Sequence, residues 1–214
     1  YAGNFDQAFA NMDLASFVDF WLVQELMMNS ETKHPKSCYS YINEGIMYAG
    51  PVWDFDWNTL PASTSYSEEG YSYTKSMLTK ADADYYSKNG YPSEPNNEGD
   101  ANYIWYPLLV KSDAFTTLAA SRWNAVKGAL STYVSTEIPK IKEEIAVSEA
   151  LNYSMWPMDE KGRLFTDRYS VFGIGGGFCG DEGMSFSESV EQLKATLNTR
   201  ISGMDTYINN KNWK

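Results

Sequence analysis

The chain has 214 residues, 43% hydrophobic and 21% charged, which is enough for one real core and sets a single domain over 1–214 as the expectation. Its formal net charge of −11 repels phosphate backbones and anionic lipid, so no nucleic acid and no anionic membrane is expected as a partner. No apolar run approaches the ~20 residues of a membrane span, and no signal peptide opens the chain.

The first residues, "YAGNFDQAFANMDL", read as the middle of something, a fragment or a processed domain. The first strong element is "DLASFVDFWLVQELMMN". Asp13 suits an N-cap, and Leu14, Phe17, Val18, Trp21, Leu22 and Leu26 recur at helical spacing, with Asn29 and Ser30 ending the helix. Glu25 sits near the edge of that stripe. It reads as a carboxylate at the rim of the core, with a buried acid paired to a site lysine as the alternative.

A polar loop, "SETKHPKS", follows. Then "CYSYI" and "IMYAGPVWDF" flank "NEG", which predicts a β-hairpin with Pro51 at an edge or a bulge. Residues 58 to 102 are rich in Ser, Tyr, Gly, Asn and Pro, a long loop with a short helix around Lys75 to Tyr86. Beyond "NYIWYPLL" the pattern is helical again. Asp113 or Ser112 caps a segment with Phe115, Leu118, Arg122, Val126 and Leu130 on one face. A second segment carries Val134, Ile138, Ile141, Ile145 and Ala150, with a kink at Pro139. In the last helix Ser185 and Glu188 predict a capping box, and Val190, Leu193, Leu197, Ile201, Met204 and Ile208 form the apolar stripe. The fold class is α+β, mostly α, with one small hairpin.

Several motifs are set aside on chemical grounds. Gly175, Gly177 and Gly180 spell G-x-G-x-x-G, but Asp181 and Glu182 follow directly and would repel a phosphate, so this is a loop. His34 is the only histidine and lies in a polar loop, which argues against a histidine-based hydrolase. Cys38 and Cys179 match no zinc spacing; two buried thiols are expected, with a disulfide as the alternative. Aromatics at 15%, with few lysines, are common in secreted carbohydrate-associated proteins, so a non-catalytic surface module that binds glycan stands as an alternative function.

Asp54 and Asp56 remain. They follow a strand, and on an extended chain their side chains share one side. Two hard oxygen donors suit Mg²⁺ or Ca²⁺. Glu31, Lys33 and Lys36 precede the hairpin, and folding it back would bring their loop beside Asp54, with Trp53, Phe55 and Trp57 anchoring the stretch to the core. A positioning acid followed by metal-binding acids is the layout of a phosphoryl-transfer site. The alternative is that the two aspartates cap a turn. On the residues alone the two readings stand level.

The quoted segments "DLASFVDFWLVQELMMNSE", "PKSCYSYI" and "YAGPVWDFDW" resemble the spore-coat protein H (CotH) family of atypical kinases, and "YIWYPLLVKSDAF", "RWNAVK" and "LKATLNTRISGMDTYI" resemble its C-terminal half. The resemblance implies a helical C-lobe-like domain of a diverged protein-kinase-like fold, ATP and Mg²⁺ as cofactors, and a protein or surface substrate. By that resemblance Asp54 binds metal and nucleotide, Asp56 assists on the metal, and Glu31 orients or deprotonates the acceptor. Family members usually carry Asp in an N-x-D pattern there; "NSE" places a side chain longer by one methylene. Lys36 falls at a phosphate-neutralising position, and Ser37 at a metal-binding position where Asn is frequent. An N-terminal lobe with a strand lysine and a glycine-rich cover is not supplied by these residues, so the chain is expected to be the C-terminal part of such a domain. An extracytoplasmic bacterial location, secreted or as a cell-surface lipoprotein, is the accompanying expectation.

Overall fold

The computed structural model describes residues 4–29, 38–55, 59–60, 76, 105–156 and 184–211. A short helix not anticipated from the pattern, α1 (Phe5–Phe9), opens it, with the Asn4 side chain accepting from the Gln7 amide. The central helix α2 (Leu14–Met27) starts at Asp13, whose carboxylate accepts the Ser16 amide at 2.7 Å. Its buried residues are Phe17, Val18, Phe20, Trp21, Leu22, Gln24 and Glu25, which lie on most of its faces. A helix buried nearly all round is the middle of a domain rather than a cover.

The end of α2 is well defined. The Asn29 amide bonds back to the Gln24 carbonyl and the Met28 amide to that of Glu25, the reciprocal pattern that closes a helix through a left-handed residue. That residue is Met28, at φ 52 and fully buried. Left-handed backbone costs a non-glycine residue about 1–2 kcal/mol, and burial of a methionine side chain offsets a similar amount.

The hairpin forms as expected, with β1 (Ser40–Asn43) antiparallel to β2 (Ile46–Ala49). Glu44 and Gly45 at φ 50 and 81 give the doubly left-handed two-residue turn that matches strand twist. Tyr41 stacks on its cross-strand partner Tyr48 at 5.1 Å. Met47 turns its backbone away from β1 and bonds to the Asn11 carbonyl and the Asp13 amide, while the Ala49 amide donates to Ser16 Oγ. The outer edge of β2 is therefore covered, and the hairpin is fastened to the N-terminal end of α2. Pro51 lies just beyond β2, after Gly50 at φ 113, whose amide extends the ladder to Tyr39.

In the second half, α3 (Trp105–Leu109) leads to α4 (Asp113–Thr132), capped by Ser112. A π turn (Tyr133–Glu137) and α5 (Ile138–Met155) continue the same helical path. Just before Pro139, where a kink is expected, the helix has a widened turn. Proline lacks an amide and its ring crowds the carbonyl four residues back, and a wider turn relieves both.

The buried face of α4 is Phe115, Thr116, Ala119 and Trp123, not the face through Arg122 and Val126, both of which are exposed. In α5 the expected stripe fails after Ile138: Ile141 and Ile145 are exposed, and Val147 is 83% exposed. The last helix, α6 (Phe186–Asn209), has the capping box of Ser185 and Glu188. It packs on α4 and α2 through Ile201, Met204, Tyr207 and Ile208. Lys142 of α5 also reaches Ser187.

The segment "RWNAVK" turns out to be structural. Arg122 pairs with Asp19 of α2, Trp123 and Lys127 both donate to Asp205 of α6, and Asn124 donates to Asn209. Among the described residues no helix is long and apolar enough to cross a membrane. Cys38 is half-buried against the core; Cys179 and the helix expected around Lys75 to Tyr86, except Ser76, lie outside the described residues.

Candidate functional site

The last turn of α2 is where the chain on either side of the candidate residues is fastened together. Met27 ends the helix, and the chain leaves it through Met28 and Asn29 toward the loop that carries Glu31. The Leu60 amide donates to the Met27 carbonyl at 2.9 Å. Leu60 stands four residues after Asp56, so the stretch that follows the two aspartates is fastened to the helix end that precedes Glu31. Ala49 is held by Ser16 and Leu60 by Met27, two positions of α2 about 17 Å apart at 1.5 Å per residue. The hairpin itself sits at the opposite, N-terminal end of α2.

Asp54 is exposed and adopts φ 65. This corrects the extended backbone expected at Asp54 itself. Aspartate tolerates that conformation better than most residues. Thr59 Oγ1 donates to the Phe55 carbonyl at 2.7 Å. The anchoring role expected for Trp53 is corrected too. Trp53 is 57% exposed and Phe55 half-buried, and the anchors are the backbone bond of Leu60 and the buried Thr59. Trp57 lies outside the described residues, as do Glu31, Lys36, Ser37 and Asp56. Of the expected metal donors Asp54 alone is therefore placed, and no group of three or more His, Cys, Asp or Glu side chains suited to a metal ion occurs among the described residues.

Behind the helix end lies a charged network that the pattern did not reveal. Glu25 and Arg200 have no exposed side-chain surface. Arg200 Nη2 donates to Glu25 Oε2 at 2.5 Å, and its Nε donates to the Glu25 backbone carbonyl at 2.7 Å. The Tyr207 hydroxyl donates to the same Oε2 at 3.1 Å and accepts from Arg200. Ser76 Oγ donates to Glu25 Oε1 at 2.6 Å.

Glu25 is thus a core residue rather than a rim carboxylate, and its partner is an arginine from the last helix rather than a site lysine. A buried carboxylate is tolerable only with its charge matched and its oxygens hydrogen-bonded, and both conditions hold here. Burial pushes the Tyr207 phenol well above the ordinary tyrosine value; Arg200 opposes the shift and Glu25 adds to it. Burial does the same to Tyr106, with neighbouring Cys38 and Glu25 adding to the shift. The signal for the network was present in the sequence. Arg200 sits between Leu197, Ile201 and Met204 on an apolar stripe, where an arginine needs a buried partner.

No curated protein and no solved structure matches the chain. The model of the CotH family, described as CotH kinase protein, matches residues 2–204, which takes in α2, the hairpin, the aspartates and nearly all of α6. By that match, over almost its whole length, the chain belongs to the CotH kinase family.

Proposed function

We propose that this chain forms the helical part of a CotH-like phosphotransferase that moves the terminal phosphoryl group of Mg-ATP to a protein or surface acceptor. The observation that carries the reading is the bond from the Leu60 amide to the Met27 carbonyl. It supports a single site at the end of α2, with the Glu31 loop on one side and the D-F-D acids on the other.

Bound Mg²⁺ would supply charge neutralisation of the transferred group. Asp54 and Asp56, with Ser37, are the residues suited to hold it. Lys36 would hold the phosphates, and Glu31 would accept or orient the acceptor proton. The exposure of Asp54 suits a residue that meets a ligand from solvent.

The test is phosphate transfer from Mg-ATP by the purified protein and by Asp54→Asn. Asparagine keeps the shape of the side chain and tolerates φ 65, so only the charge is removed. Transfer should fall by about a hundredfold or more, on the scale of losing one preorganised charge contact, with the melting temperature held. Equal transfer by the two proteins would refute the catalytic reading.

A further inference from the structure

We infer that Ser76 is a positioning residue for the site at the end of α2, acting through Glu25; its catalytic consequence rests on the phosphotransfer reading above. Ser76 is buried, although it falls in a stretch, "SYSEEGYSYTKSMLTK", dominated by residue types that favour the surface. Its hydroxyl meets Glu25 Oε1 at 2.6 Å, while the other carboxylate oxygen takes Arg200 and Tyr207.

The backbone of Glu25 belongs to the same assembly. Its carbonyl accepts both Arg200 Nε and the Met28 amide, the bond that closes α2. One guanidinium thereby couples the carboxylate of Glu25 to the carbonyl that ends the helix. On one side of this node lies Ser76, sixteen residues after Leu60 in the chain. On the other lie Met28 and Asn29, from which the Glu31 loop departs. A carboxylate deprived of a donor in a dry site turns to find another. Such a turn would pull on Arg200, and through it on the helix end.

The geometry thus gives Ser76 a task beyond filling space. It ties the chain that follows the D-F-D acids to the helix end that precedes Glu31, a second tie besides the Leu60 bond, and it does so with a hydroxyl that alanine cannot replace.

The experiment compares the intact protein with Ser76→Ala and Ser76→Thr by amide hydrogen exchange. Exchange at Met28, Asn29 and Leu60 should quicken about tenfold in Ser76→Ala, the scale of one lost buried hydrogen bond, with α4 amides from Phe115 to Leu130 unchanged. Ser76→Thr, which keeps the hydroxyl, should restore the slow rates. Unchanged exchange at the three amides overturns the inference. So does quickening spread equally over α4, which would mean general loss of stability, and so does failure of threonine to restore, which would mean lost packing. Where the unmodified protein transfers phosphate, Ser76→Ala should lower kcat and leave KM for ATP within about twofold; an unchanged kcat removes the catalytic half. If the unmodified protein transfers none, the phosphotransfer reading fails, while the exchange result still decides the structural half.

Discussion

Two of the polar links that fasten α6 to its neighbours are built in opposite ways. Toward α2, Arg200 and Glu25 meet with no exposed side-chain surface, joined by Tyr207 and Ser76. Toward α4, Asp205 takes Lys127 at 2.5 Å, with Trp123 and Asn209 around it, but both charged side chains are about a third or more exposed. The distances are alike and the energetics are not. In the dry link each group depends on the others, because water cannot replace a missing partner. In the wet link water replaces whatever is removed. A short ion pair is therefore informative about architecture only once its burial is known.

The comparison can be broken most forcefully at Arg200. Arg200→Ala leaves the Glu25 carboxylate buried without its cation, and should cost about 3–5 kcal/mol. For a chain of this size that lowers the melting temperature by roughly 10 °C, readable by calorimetry. A drop of only a degree or two would mean that water reaches Glu25.

A middle-sized effect is expected from alkali. Burial holds the phenols of Tyr207 and Tyr106 well above their ordinary value, so the folded protein keeps those protons where the unfolded chain would lose them. Their contribution is whole below the unfolded value, about pH 10, and is lost as pH rises through the folded values. Melting temperature should therefore fall steadily above about pH 10, and Tyr207→Phe should lessen the fall.

The smallest effect belongs to the wet link. Lys127→Ala should cost about 0–1 kcal/mol, and less at high salt, by chemical denaturation. The hydrogen bond from Lys127, the first of several causes, holds Asp205 below its ordinary value. This contribution is present above the ordinary value, near pH 4, and is lost as pH falls through the lower folded one. A cost for Lys127→Ala as large as that at Arg200 would erase the distinction between the links.

Much of the fold was legible before any coordinates. Asp13, Ser112 and Ser185 cap the helices that their sequence context announces, because capping is a local exchange between one side chain and the amides of the next turn. The hairpin was legible for the same reason, since its Glu44–Gly45 turn and flanking aromatics carry their own geometry. Less legible were the faces. The stripe on α5 has the right period, yet Ile141 and Ile145 are exposed, because period shows that a face exists and not that anything lies against it. The candidate site was legible in its residue types but not in its arrangement. The bonds of Ala49 to Ser16 and of Leu60 to Met27 are long-range contacts with α2, which the local pattern cannot contain.

The sequence by itself determined the four longer helices, the hairpin, the acidic charge and the membership in the CotH kinase family, since each is written in neighbouring residues or in a shared string of them. Tertiary structure alone decided that Glu25 is core and that Arg200, 175 residues later, is its partner. It also decided that the chain following the D-F-D acids returns to the end of α2. A buried charge selects its partner by position in space, and separation along the chain places no limit on that choice beyond the entropy of closing the loop.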